Sequence, residues 1–277
     1  AWKASGPKWA NVDVQIDSVP FSQLFPAIET SVAAGADFDA FLADGPDIKH
    51  YAFNGAIIPL AEYYTEEELA EYVPQSIEEG SYLGTFYAPA IMQSCSMMFY
   101  NTDMTDEAGL EPPQEYDGWT FDEAWPAWEK TTTDPDGDGV TDVWGLRWGQ
   151  GTWQGDYEQG IMRRSAGERG SDTFAGMGPD GLTFVGYLDT PEAIAAYQMY
   201  RDWHVGDRAV TPIEPIPQPF VNGNHAFMIT PDNRIGEINR LYPDGGFNYG
   251  VTGIPYQADG AQLCHTGSWH FGVSPNT

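Results

Sequence analysis

Residues Gly84 to Pro113 read GTFYAPAIMQSCSMMFYNTDMTDEAGLEPP. A glycine-centred turn leads into an apolar run that is interrupted at Gln93 and Ser94 and closes on the aromatic pair Phe99 and Tyr100. An acidic helix follows, and Pro112–Pro113 stops it. A mostly apolar strand with a polar dipeptide in its middle suggests a buried element that surfaces at a cleft.

Toward the N-terminus, Asn11 to Val19 alternates apolar and polar residues (Val12, Val14, Ile16), the period of a half-buried strand. Pro20 then opens a helix with Phe21, Leu24, Phe25, Ile28 and Val32 at helical spacing, and Gly35 closes it. Phe38 to Ala43 is a short apolar strand ending at Asp44-Gly45-Pro46. Strand, helix, strand predicts a parallel β-α-β unit.

Toward the C-terminus, Thr65 with Glu68 and Thr120 with Glu123 form capping boxes. Thr190-Pro191 starts a helix to about His204, with Ile194, Tyr197 and Tyr200 on one face. Thr211 to Pro219 holds four prolines and reads as an extended connector. Ala226 to Ile229 is a short buried strand, Pro231 opens a helix with Ile235, Ile238 and Leu241, and Phe247 to Ile254 is a further strand. Strands alternating with helices from end to end argue an α/β fold.

The 277 residues suffice for two ordinary domains or one large one. Forty-one acidic against twelve basic residues give a net charge of −29, which repels nucleic acid and anionic lipid heads and excludes both as partners. No run approaches the ~20 apolar residues of a membrane span, so direct membrane insertion is not expected. No charged, apolar, small-residue leader opens the sequence, so any signal peptide is expected to have been removed or left out. Cys95 and Cys264 each sit in an apolar stretch, where a free cysteine packs as a small hydrophobe; a single bridge between them is the alternative.

Six segments, in this order, carry a resemblance: VDVQIDSVPFSQLF, DFDAFLADGPDIKHYAFNGAIIPL, DPDGDGVTDVWGL, FVNGNHAFMIT, NYGVTGIPYQADG and HTGSWHFGVSP. Together with the Gly84–Pro113 crossover they resemble the extracellular solute-binding proteins, family 1, the maltose-binding-protein-like subunits of sugar ABC importers. The resemblance implies a two-lobed, periplasmic-binding-protein-like (type II) α/β fold with a hinge. The first lobe would be 1–98 plus 264–277 and the second 99–263. Family members begin with one more strand and helix and continue with more helices, so the chain is expected to be a fragment, roughly the first two thirds of the pattern, with an incomplete first lobe.

The implied activity is capture of a sugar or oligosaccharide by hinge closure, with delivery to ABC permease subunits and no catalysis. The implied setting is a monomer in the periplasm or outside the cell, with a lipid anchor as an option in a longer parent. A sugar face stacks on Trp or Tyr, and its hydroxyls bond to Asp, Gln, Arg and Ser. Asp44 ends a strand ahead of a turn, and Gln93 and Ser94 break an apolar strand. Arg147 and Trp148 follow an acidic loop, with Trp153 beyond them. Ser268 and Trp269 stand where relatives often carry Gly-Gly-Trp. Asp232 stands near a place where relatives often have an aromatic, which favours polar contact there. These nine are the candidate ligand-binding residues.

The loop Asp134-Pro-Asp136-Gly-Asp138-Gly-Val140-Thr-Asp142 matches a calcium loop at positions 1, 3, 5, 6 and 9, with the Val140 carbonyl at position 7. Gly145 replaces the usual twelfth-position glutamate, so a structural Ca2+ would bind weakly. No Ser-His-Asp signature, HExxH or phosphate-cradling glycine loop is present, and the five histidines show no metal spacing. Two other readings stay open. Within the family, the solute could be a glycerol phosphodiester or other polar anion held by Arg147, Arg163 and Arg164. From another class, the chain could be a secreted calcium-dependent carbohydrate-active enzyme or adhesion module.

Overall fold

The computed structural model describes residues 6, 10–35, 38–114, 116, 118–148, 154–180, 182–214, 216 and 220–277, with backbone alone at 154–158. In chain order the elements are α1 (Phe21–Ala34), β1 (Ala40–Asp44), α2 (Ile48–Phe53), α3 (Glu66–Leu69), α4 (Pro74–Glu79), β2 (Ser81–Tyr82), β3 (Thr85–Phe86) and the long β4 (Ala90–Asn101). They continue with α5 (Thr102–Glu107), α6 (Phe121–Thr131), β5 (Trp144–Arg147), α7 (Gln154–Ser165), α8 (Asp172–Ala175), α9 (Pro191–Asp202), β6 (His225–Pro231), α10 (Arg234–Leu241), β7 (Tyr249–Thr252) and β8 (Thr266–Val273). The chain divides into two compact units, Ala1–Met92 with Ser268–Thr277, and Gln93–Gly267. The sequence placed the crossings at 98/99 and 263/264; they fall inside β4 and β8.

In the first unit, α1 begins after Pro20 and ends at Gly35, which adopts φ 64° and donates its N–H to the last turn. β1 pairs with β8 in antiparallel register, from Ala40 opposite Val273 to Asp44 opposite Trp269. Ile28, Phe41, Ala43, Ile48, Tyr51 and Ile57 form the core between these elements. The expected parallel β-α-β unit is not formed. Residues 11–20 are exposed and belong to no ladder among the described residues, with Ile16 83% and Val14 58% exposed. Alternation gives a segment the period of a strand, but a strand also needs a neighbour to take its backbone hydrogen bonds.

In the second unit, β4 lies between two antiparallel neighbours, β6 (Ser96 opposite Pro231) and β7 (Met98 opposite Thr252). β5 runs parallel to β6, with Arg147 opposite Met228. Phe121, Trp128, Trp148 and Trp203 fill the core beside this sheet, each at most 1% exposed. Their rings interlock: Trp128 meets Trp203 edge-on at 5.2 Å, and Trp148 stacks on Trp203 at 5.5 Å. Such pairs add about 1 kcal/mol each beyond burial. α6 carries its capping box as expected, the Thr120 hydroxyl accepting from the Glu123 N–H and the Glu123 carboxylate from the Thr120 N–H. α9 is capped by Thr190, but its buried face is Ala193 and Ala196, while Ile194 and Tyr197 stay largely exposed. Pro231 ends β6 rather than opening a helix; α10 starts at Arg234 and buries Ile238. Within the connector, Thr211 is fully buried, and Pro215 and Pro217–Pro219 lie outside the described residues.

Cys95 and Cys264, expected as separate thiols, are joined in a disulfide with Cα atoms 6.1 Å apart. The Ser96 N–H donates to the His265 carbonyl, so the two cysteines lie on segments already held side by side.

Candidate functional site

In the first unit, the end of β1 gathers the candidate groups. Asp44 accepts a hydrogen bond from the Gly45 N–H at 3.0 Å and so caps the turn that follows. Its register partner is Trp269, and directly opposed residues of an antiparallel pair point to the same face. Trp269 is half-buried and meets Phe21 edge-on at 5.7 Å, and Phe21 itself is 38% exposed. A carboxylate beside an indole with part of its surface in water suits a solute that has both hydroxyls and an apolar face. Burial first, then the charges of Asp47 and Glu79, push the Asp44 carboxyl up to about 6, against the opposing Gly45 N–H and His270.

Ser268 is not available to a solute. It is 1% exposed; its hydroxyl donates to the Glu79 carboxylate and lies 2.8 Å from His270 Nε2. On a strand, residue 268 faces opposite to 269, so only one of the two can reach the outer face. Phe21, Glu79 and His270 were not singled out from the sequence. Phe21 was legible only as a core position of an amphipathic helix. Glu79 and His270 acquire their roles through contacts between residues far apart along the chain, 189 positions for Glu79 and Ser268, for which local sequence gives no signal.

In the second unit, the start of β4 and the end of β6 meet. The Asp232 N–H donates to the Cys95 carbonyl at 3.1 Å, so half-buried Asp232 stands beside Ser94–Cys95. Gln93 is half-buried. Ser94 is buried, and its hydroxyl donates to the Gly267 carbonyl at 2.9 Å, the backbone partner that keeps a polar residue in an apolar strand. Arg147 ends β5 on the side where β6 ends, since the two strands are parallel, but only 8% of it is exposed. Trp148 is corrected outright: it stacks on Phe121 at 6.0 Å as well as on Trp203, and no ring face remains for a sugar. Trp153 lies outside the described residues. Arg163 and Arg164, considered for an anion, donate to the Thr173 and Phe174 carbonyls, both at 2.7 Å, and hold α8 against α7.

The acidic loop is pinned at its base by the bridge between Thr133 and Val143. Asp134 accepts from the N–H groups of Gly137 and Gly139, Asp136 from that of Asp138, and Asp138 from that of Val140. One carboxylate oxygen from each of Asp134, Asp136 and Asp138 lies within 4.8 Å of the others. Desolvation, then repulsion from Asp136, Asp134 and Asp138, raises the Asp142 carboxyl above its ordinary range.

The sequence model of the bacterial extracellular solute-binding protein family matches residues 5–277, and the chain belongs to that family. A binding protein of Brucella abortus is 23% identical over 266 residues, covering 95% of this chain and 59% of that protein. The maltotriose-binding protein of Pyrococcus abyssi is 25% identical over 244 residues, covering 88% of this chain and 47% of that protein. The fold is that of the ABC substrate-binding protein of Listeria monocytogenes solved in complex with cycloalternan: TM-score 0.77, 21% identity, covering 98% of this chain and 65% of that one. The chain thus spans less than two thirds of the length of the relatives it matches.

Proposed function

We propose that this chain captures a carbohydrate-like solute outside the cytoplasm for delivery to an ABC-type importer, without chemical conversion. The observation that carries the reading is the pairing of Asp44 with Trp269 at the end of β1, in a chain that belongs to the solute-binding family over residues 5–277. One relative is named a maltotriose-binding protein, and one structural neighbour is an ABC substrate-binding protein solved in complex with cycloalternan. Asp44 and Trp269 are the proposed contacts in the first unit, where Ser268 lies under the Asp44–Gly45 turn; Gln93 and Asp232 are those in the second, where Ser94 is tied to the Gly267 carbonyl. The anion reading loses ground because Arg163 and Arg164 are spent on backbone carbonyls and Arg147 is buried. A periplasmic or extracellular location fits the Cys95–Cys264 bridge, since disulfides persist in oxidising compartments.

The proposal also includes a weak structural Ca2+ at Asp134, Asp136 and Asp138, with the Val140 carbonyl and Asp142 completing the set; its support is the convergence of three carboxylates within 4.8 Å. A thermal-shift screen of mono- and oligosaccharides, run with and without calcium, tests both parts. One saccharide is expected to raise the unfolding temperature in a saturable way. Calcium is expected to raise it independently, at millimolar concentration. A flat response to every saccharide would overturn the solute reading, and a flat response to calcium the metal reading.

A further inference from the structure

The apolar stripe of α1 is longer than the core it serves. Ile28 is buried in the core of the first unit, and Leu24 and Val32 pack against it. Phe21 and Phe25 continue the stripe, four residues apart and so neighbours on the helix surface, but among the described residues they lie outside that cluster. Their rings meet edge-on at 5.5 Å. Phe21 then meets Trp269 of β8 at 5.7 Å, the two planes 72° apart. A row of three rings thus runs from α1 to β8 and ends beside Asp44, the register partner of Trp269. One exposed phenylalanine is ordinary on a protein surface. This one, 38% exposed, extends the apolar side of the proposed solute site.

The ring is also held in place. Phe21 is the first residue of α1, and Pro20 before it fixes the entry of the chain at φ −56°. Half-buried Phe25 meets it from the next turn and half-buried Trp269 from β8. A side chain positioned before the solute arrives loses little freedom on binding. The angle between the two rings decides what they can hold. A sugar ring carries C–H groups on its two faces and hydroxyls round its rim. One that lies flat on Trp269 therefore turns its rim, not a face, toward Phe21. The apolar surface of Phe21 suits instead the face of a second sugar, joined to the first and turned out of its plane.

We propose that Phe21 is a specificity-determining residue of the solute site: Trp269 stacks on one sugar unit and Phe21 contacts the next, so the site prefers a saccharide of two or more units to a single sugar. The claim deepens the proposed function and rests on it, with Asp44 and Trp269 as the contacts to the first unit. Phe21 then sets a ratio of affinities rather than affinity as a whole. A ring that merely propped Trp269 would change binding of every saccharide by the same factor.

Calorimetric titration of the whole chain tests this, with glucose, mannose and galactose and with the disaccharides and trisaccharides built from each. Single sugars are read by displacement of the tightest oligosaccharide. The wild type is expected to bind at least one oligosaccharide about tenfold or more tightly than its parent sugar. F21A is expected to lose about tenfold for that oligosaccharide while its affinity for the parent sugar stays within about twofold. F21L keeps apolar bulk without a flat ring and is expected to behave as F21A does, which answers the same question should F21A fold poorly. F21W is expected to restore the preference. Equal losses for the oligosaccharide and its parent sugar, or no loss for either, would overturn the proposal and leave the solute reading standing. No binding of any sugar in the panel would overturn the solute reading, and this proposal with it.

Discussion

Asp44 is a proposed solute contact whose carboxyl is costly to ionise because burial, with the charges of Asp47 and Glu79 beside it, disfavours the charged form. Between about pH 4 and pH 6 the folded state holds a proton on Asp44 that the unfolded state has released. Stability therefore falls as pH rises through that window. The slope is at most about 3 kcal/mol in total, and less once screening of a partly exposed group is allowed for. Denaturant titrations at about pH 4 and pH 7 are expected to show D44N losing less stability than the wild type across that span; equal losses would contradict the assignment. Trp269→Ala is expected to weaken saccharide binding by about thirtyfold, measured by calorimetry, while changing the fold little because the ring is only half-buried. The positions of both residues were legible in the sequence, since each stands at a local break, Asp44 before a Gly-Pro turn and Trp269 after small residues, and the structure pairs them across β1 and β8. Ser268 and Trp148 were misread for a matching reason. Their partners, Glu79 and Trp203, lie far away along the chain, so the sequence offered no means of telling a committed side chain from a free one.

At the scale of elements, local rules held where the partner was local. Both capping boxes formed, as did the Gly84 turn between β2 and β3, where Gly84 adopts φ 77°. The segment at residues 11–20 failed because pairing is not a local property. Close packing between elements supplies two further expectations. A Cβ at Gly145 would run into the Trp128 backbone carbonyl, since β5 passes directly against the last turn of α6. Backbone does not yield as a side chain does, so G145A is expected to destabilise the chain by about 3 kcal/mol, read from the shift of its urea midpoint. The Cys95–Cys264 bridge closes a separation of 169 residues. In the loop-entropy account such a closure contributes up to about 5 kcal/mol. Unfolding with and without reductant measures it, and because Asp232 bonds to the Cys95 carbonyl, reduction is also expected to weaken saccharide binding.

Across the whole molecule, charge sets the response to the medium. A net charge of −29 on 277 residues repels itself, and counterions relieve that repulsion. Thermal unfolding is expected to move upward between low salt and about 1 M sodium chloride, where the Debye length falls to about 3 Å. Composition alone carries this expectation, whereas the division into two units was expected from the family resemblance, with crossings a few residues from those observed at 92/93 and 267/268. The central claim is capture without conversion. Calorimetric titration with maltotriose and a panel of related saccharides, followed by chromatography of the recovered sugar, tests it most directly. The account predicts saturable binding of at least one saccharide, which is recovered intact; heat without saturation across the panel, or a shortened sugar in the eluate, would contradict it.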